Sequence, residues 1–185
     1  MSEAGERPGD GRRALVVTVS DGVVAGTRDD ESGERLATRL VELGFAIDRA
    51  RVPDEGWQIE QALVEGAAEH ALIVTTGGTG LTPRDVTPQA TAAIVDYEVP
   101  GLAEVIRAEG RRSTPMAALS RGVVGVRSGA LVVNVPGSPR GALESLDAIV
   151  PVLGHALETL AGPFDHVAAT AAGDRPDLPA GGGRG

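Results

Sequence analysis

The chain has 185 residues, 42% of them hydrophobic, with a formal charge of −9. That supports one domain of ordinary size with a sizeable core, and it argues against a nucleic-acid backbone as partner, since such binders carry a basic face. Aromatics are only 2%, which leaves little for a base-stacking surface and assigns the core to Val, Leu, Ile and Ala.

Residues 1–12 are rich in Gly, Pro and charge, and are expected to form a disordered tail, as are residues 166–185, where "AAGDRPDLPAGGGRG" shows no periodicity. The segment between, 13–165, is expected to be a single domain. Its first element is the valine-rich run "ALVVTVS" from Ala14, nearly continuous in apolar residues, as in a parallel strand buried on both faces. In "ESGERLATRLVEL", Leu36, Leu40 and Leu43 share one helical face, and Gly44 follows as a stop. "FAIDRARV" alternates and suits a strand nearer an edge. A helix from about Gly56 to Glu69 turns Ile59, Leu63 and Ala67 inward and leads into the strand "ALIVTT". Thr87 and Pro88 read as N-cap and first helical residue of "PQATAAIVDY". "GLAEVIRAEG" and the stretch from Ala142 to Leu160 give two more helices, and "GVVGV" pairs with "ALVVNV" across "RSG" as a hairpin. Strands alternating with helices predict an α/β domain: a three-layer sandwich around a mostly parallel sheet.

The chain lacks cysteine, and all 17 of its basic residues are arginine. Thiol chemistry, thiolate metal sites, Schiff bases and the P-loop lysine are therefore unavailable. The three histidines, His70, His155 and His166, have no ligand-like spacing. No stretch has signal-peptide character or approaches the roughly 20 apolar residues of a membrane span, so a cytoplasmic protein without membrane contact is expected.

What remains is a set of loops. The three most valine-rich strands end in "SDGVVAGT", "TTGGTGLTPRD" and "NVPGSPRG". In an open α/β sheet ligands sit beyond the carboxyl ends of the strands, where glycine lets backbone N–H groups approach an anion and hydroxyls add donors. One phosphate pocket shared by the three loops is expected. The Walker pattern fails for want of lysine, and the dinucleotide fingerprint fails because Pro83 stands where a further glycine is required. Asp85 beside such a loop would repel an anion unless a cation lay between them, which points to Mg²⁺; alternatively, it caps the helix near Thr87 or pairs with Arg84. Asp54, on its own, reads as a cap for the following helix. Trp57 and His155 read as packing residues, and "RDDES" as a solvated loop and helix start.

Together "SDGVVAGTRDDESG", "LIVTTGGTGLTPRDVTPQAT", "VPGLAEVIR" and "STPMAALSRGVVGVRSGALVVNVPGSPRG" resemble the molybdenum-cofactor biosynthesis family that includes the Mog-type molybdopterin adenylyltransferases, in order from about Ala14 to Gly162. The resemblance implies a molybdopterin-binding α/β domain, usually assembled as a homotrimer. It also implies a reaction with ATP and Mg²⁺, in which the terminal phosphate of molybdopterin attacks the α-phosphorus of ATP and pyrophosphate leaves. The product would pass to a downstream molybdate-insertion protein. Asp85 and Asp54 fall on the family's catalytic and metal-associated aspartates. Ser20, Asp21, Thr76, Gly77, Gly78, Thr79 and Gly80, with Pro136, Gly137 and Ser138, would hold phosphate and nucleotide, and Ser120 and Arg121 the pterin phosphate. Arg140 stands where the family often has lysine. The family also contains shorter MoaB-type members, some thought not to catalyse adenylylation, whose compact ending this chain shares. A non-catalytic molybdopterin carrier and a scaffold module are the competing readings.

Overall fold

The computed structural model describes residues 7–162. Six strands, β1 (Arg13–Val19), β2 (Ala46–Val52), β3 (Leu72–Thr76), β4 (Tyr97–Glu98), β5 (Val124–Arg127) and β6 (Ala130–Val135), form one sheet in the order β2-β1-β3-β6-β5-β4. The first four in that order run parallel, and β5 is antiparallel to both β6 and β4. β2 is the edge strand its alternation predicts.

The helices are α1 (Asp21–Val24), α2 (Glu31–Glu42), α3 (Gly56–Ala67), α4 (Thr87–Ile94), α5 (Pro100–Ser113) and α6 (Pro139–Ala161), with a 3₁₀ turn over Pro115–Leu119. Successive strand side chains point to opposite faces, so each strand feeds two cores. Ala14, Val16, Leu72, Val74, Leu131 and Val133 pack with α2, α5 and α6, through residues such as Leu36, Ile106 and Leu146. Leu15, Val17, Ile73 and Val132 pack with Ile59, Leu63 and Ala67 of α3 and Ala90 of α4. This is the expected three-layer α/β sandwich, and burial on both faces is why β1, β3 and β6 are almost unbroken apolar runs.

Several expectations are corrected. Residues 7–12 are not a disordered tail: Gly9 N–H donates to Leu43 O at 2.9 Å and Arg12 reaches Pro8 O at 2.9 Å, so this turn packs against the end of α2. Residues 1–6 and 163–185, the rest of the two tails, lie outside the described residues. Thr87 does not cap α4 through its side chain. It is the first helical residue, Val86 holds the cap position, and the Thr87 hydroxyl is used elsewhere. That helix also ends at Ile94, and Tyr97–Glu98 pair with β5 as an edge strand. Trp57 is 64% exposed because α3 turns Ile59 and Leu63, not residue 57, to the sheet. The "RSG" hairpin is present, its turn made by Ser128 at φ 51° and Gly129 at φ 85°, the left-handed pair a tight two-residue turn requires.

A buried polar knot pins the centre. Asn134 on β6 donates from Nδ2 to the hydroxyls of Thr75 on β3 and Thr91 on α4, both at 2.9 Å, and its Oδ1 accepts from Val123 N–H at 3.1 Å. Thr75 and Thr91 are fully buried and Asn134 nearly so. Truncation to Asn134→Ala strands two hydroxyls and an N–H, so urea unfolding is expected to show a loss of about 2–4 kcal/mol. A loss below about 0.5 kcal/mol would mean the knot contributes no stability.

Candidate active site

The register sets β1, β3 and β6 level, with Thr18 beside Thr76 and Thr76 beside Val135. Their following loops therefore emerge side by side. Chain order reverses across β1 and β3, which is where an open α/β sheet leaves a crevice.

The glycine loop after β3 is held by its carbonyls. Thr87 Oγ1 donates to Gly77 O at 2.9 Å and Thr87 N–H to Gly78 O at 3.2 Å. Arg121 N–H donates to Thr79 O at 3.0 Å, and the Arg121 guanidinium to Gly80 O at 2.7 Å and to Asp85 O. Among the described residues, the N–H groups of Gly78 and Thr79 donate to no protein acceptor. A loop whose carbonyls face protein donors and whose N–H groups remain free is an anion-binding surface. Gly77 and Gly78 sit at φ +103° and +63°, conformations that a Cβ disfavours. Thr76 Oγ1 donates to Pro136 O at 2.8 Å, and a Cβ on Gly137 would come within 3.2 Å of Gly77 Cα, so the first and last turns of the β3 and β6 loops touch.

Asp54 and Asp21 bond reciprocally: Asp21 N–H donates to Asp54 Oδ2 at 2.9 Å and Asp54 N–H to Asp21 Oδ1 at 3.0 Å. Asp54 is thus tied across to the β1 loop rather than capping α3, whose N-cap is Glu55. Arg84 bridges Asp21 at 2.5 Å and Glu55 at 3.0 Å, so it does not pair with Asp85. Asp85 instead accepts from Thr82 N–H at 2.8 Å. Hydrogen bonding from the Thr82 side chain first, then from the Thr82 and Gly80 N–H groups, with the Arg121 charge, holds its carboxyl below the ordinary value despite partial burial. The Asp21 carboxyl is likewise lowered, by the Asp54 N–H and then by Arg84.

Two cavities meet here. A polar cleft of about 970 Å³ is lined by Ser20, Asp54, Thr76, Gly77, Gly78, Thr79, Gly80, Asp85 and Gly137, with Arg28 and Arg84. A smaller, mostly apolar cavity of about 240 Å³ is lined by Thr79 and Gly80 from the other side, with Ile106, Met116, Leu119, Ser120, Pro136 and Ser138. Ser138 opens α6 yet makes no cap bond with its side chain, which leaves the hydroxyl available. Arg121 holds the loop from behind, and Asp21 reaches the site through Asp54 and Arg84. Arg140 is paired with Glu144 at 2.6 Å, and Glu144 also lines the smaller cavity.

The sequence reading missed Asp30. It is buried, accepts from Thr18 Oγ1 at 2.8 Å and from Gly33 N–H at 3.1 Å as the cap of α2, and pairs with Arg49 at 2.5 Å and Arg51 at 3.4 Å. It fixes the loop that carries Arg28 and Asp29 into the cleft. Its only sequence signal is a cap-type residue ahead of a helix.

The fold and these loops define an α/β domain with a two-chambered cleft at its topological switch point. The chain belongs to the probable molybdopterin binding domain family, whose model matches residues 15–155. It is 34% identical over 159 residues to a molybdopterin adenylyltransferase from Helicobacter pylori, covering 82% of this chain and 89% of that one. It is 41% identical over 155 residues to a molybdenum cofactor biosynthesis bifunctional protein from Synechococcus elongatus; this match covers 83% of the chain but spans only 48% of that longer protein. Among solved structures, the molybdopterin biosynthesis enzyme MoaB from Thermus thermophilus is 51% identical, with a TM-score of 0.73 over 80% of this chain and 96% of that one.

Gly77→Ala must place a methyl against the Val19 carbonyl at an unfavourable φ. It is expected to cost about 1–3 kcal/mol in thermal unfolding; an unchanged Tm would show that the loop relaxes freely. The sign of the Asp85 effect also follows. A carboxyl lowered in the folded state stabilises above its unfolded pKa and loses that contribution as pH falls through the folded value. The stability advantage of wild type over Asp85→Asn should therefore narrow as pH drops below the ordinary carboxylate range, and a gap independent of pH would contradict it.

Proposed function

We propose that this chain adenylylates molybdopterin, joining it to the AMP portion of ATP with release of pyrophosphate. The observation that carries the reading is the meeting of two unlike cavities at Thr79 and Gly80. A polar, glycine-lined cleft suits a nucleotide polyphosphate, and a small apolar one a pterin ring. The names of the relatives support the same reaction. A phosphate oxygen of molybdopterin attacks the α-phosphorus, that new P–O bond forms, and the bond between the α-phosphorus and the bridging oxygen breaks toward pyrophosphate. No protein group needs to become a covalent nucleophile. The chain's task is positioning and supplying N–H donors from Gly78 and Thr79 to the spread negative charge. Ser20, Thr76 and Gly137 complete the nucleotide side, while Ser120, Pro136 and Ser138 face the pterin side.

The residues fit Mg²⁺. Asp54 and Asp85 line one cleft, and among the described residues neither is in an ion pair; both accept a protein N–H at Oδ2. No group of three or more acidic or histidine ligands gathers among the described residues, which suits an ion that takes one or two carboxylates and otherwise waters and substrate phosphates. When bound it would neutralise charge on the polyphosphate. A carrier or scaffold could use the N–H bonds that Asp54 and Asp85 accept, but would have no need of two carboxylates left outside the ion pairs in one cleft. The proposal includes the homotrimeric assembly and cytoplasmic location that the family resemblance implies; no described helix is long and apolar enough to cross a membrane.

The test is product formation from ATP, MgCl₂ and molybdopterin. Asp85→Asn and Asp54→Asn are each expected to lower the rate by about 100-fold or more, the scale seen when a preorganised electrostatic group is removed. Wild-type protein that binds molybdopterin tightly yet forms no adenylylated product would replace the enzyme with a carrier.

A further inference from the structure

The polar cleft poses a charge problem. Its lining includes four carboxylates, Asp29, Glu31, Asp54 and Asp85, against two arginines, Arg28 and Arg84. A nucleotide polyphosphate entering such walls needs more compensation than one divalent ion provides. Arg84 has little to spare, since one end of its fork is held by Asp21 and the other by Glu55.

Arg28 differs. Its backbone is fixed, with the N–H groups of Arg28 and Thr27 and the Thr27 hydroxyl all donating to Gly22 O at 2.9–3.2 Å. The side chain is exposed, and among the described residues its guanidinium has neither an ion-pair partner nor a hydrogen-bond acceptor. It lines the polar cleft and a second hollow of about 560 Å³ beside it, where the other arginine, Arg51, is already paired with Asp30. A planar cation on a fixed backbone, uncommitted and at the wall of an anion cleft, has the properties of a phosphate clamp.

Its place also selects which phosphates it meets. The α-phosphorus must lie where both substrates converge, at the wall shared by the two cavities, and Arg28 lines only the polar one. We infer that Arg28 grips the β- and γ-phosphates of the nucleotide, the part that departs as pyrophosphate. This rests on the adenylyl-transfer reading of the cleft.

The experiment is titration calorimetry in MgCl₂ with ATP, AMP and inorganic pyrophosphate, on wild type, Arg28→Gln and Arg28→Lys. Loss of one charged phosphate contact is expected to weaken ATP and pyrophosphate binding to Arg28→Gln by about tenfold, with AMP changed less than about twofold and Arg28→Lys in between. Equal ATP affinity in wild type and Arg28→Gln overturns the assignment, and so does a matching loss for AMP, which would mark a general effect on the loop. Wild-type protein that binds none of the three would instead bring down the nucleotide reading itself, and this inference with it.

Discussion

The site depends on where the carbonyls of one loop point. A glycine-rich turn has as many acceptors as donors, and alone it has no reason to prefer an anion. Here Thr87 takes the Gly77 and Gly78 carbonyls and Arg121 those of Thr79, Gly80 and Asp85. With the acceptors engaged behind, the Gly78 and Thr79 N–H groups are what the loop presents in front. Two residues outside the glycine run thus convert a flexible turn into a preorganised surface, which a reaction dominated by charge stabilisation requires before substrate arrives.

The same economy governs the charges. A chain of net charge −9 gathers many carboxylates around this cleft, and several of those in the surrounding loops are held by partners. Asp21 and Glu55 hold Arg84, Asp30 holds Arg49 and Arg51, and Asp21 and Asp54 exchange backbone N–H bonds. These pairs also fasten the loops after β1, β2 and β3 to one another. The exposed Arg84 pairs add little stability singly; their effect is to set the relative positions of loops that share no secondary structure. Asp54 and Asp85 stand apart from the ion pairs. Both are fixed by hydrogen bonds, Asp54 from the Asp21 N–H and Asp85 from Thr82, rather than by a cation, which leaves their charge available to a metal.

Much of this was legible in the sequence because burial on both faces writes itself as uninterrupted Val, Ile and Leu. The runs that became β1, β3 and β6 needed no long-range information, and the glycine loops followed at their ends. What could not be read depends on register. Asp30 resembles any acidic loop residue until the β1–β2 pairing brings Arg49 and Arg51, 19 and 21 residues away, over it. Arg121 resembles a ligand-facing cation until its donors are seen to reach carbonyls 41 and 36 residues earlier in the chain. Tyr97 continues a helical pattern, and only the adjacent edge of β5 recruits it as a strand. Local pattern specifies elements; pairing between elements decides which polar side chains are spent on structure.

That distinction bears on how cations are allotted where every one is an arginine. Lysine would offer a point charge that can swing between partners, whereas a guanidinium satisfied at both ends of its fork is a fixture. Arg84 and Arg121 are such fixtures, committed to carboxylates and carbonyls of the site's own loops. Using rigid cations to hold the loops preorganises the cleft, and among the described residues it leaves for the proposed polyphosphate what is not yet engaged: free backbone N–H groups, two aspartates outside the ion pairs, and an arginine outside the pairing scheme. A cleft built this way recognises its ligand by the charges the fold has left unpaired.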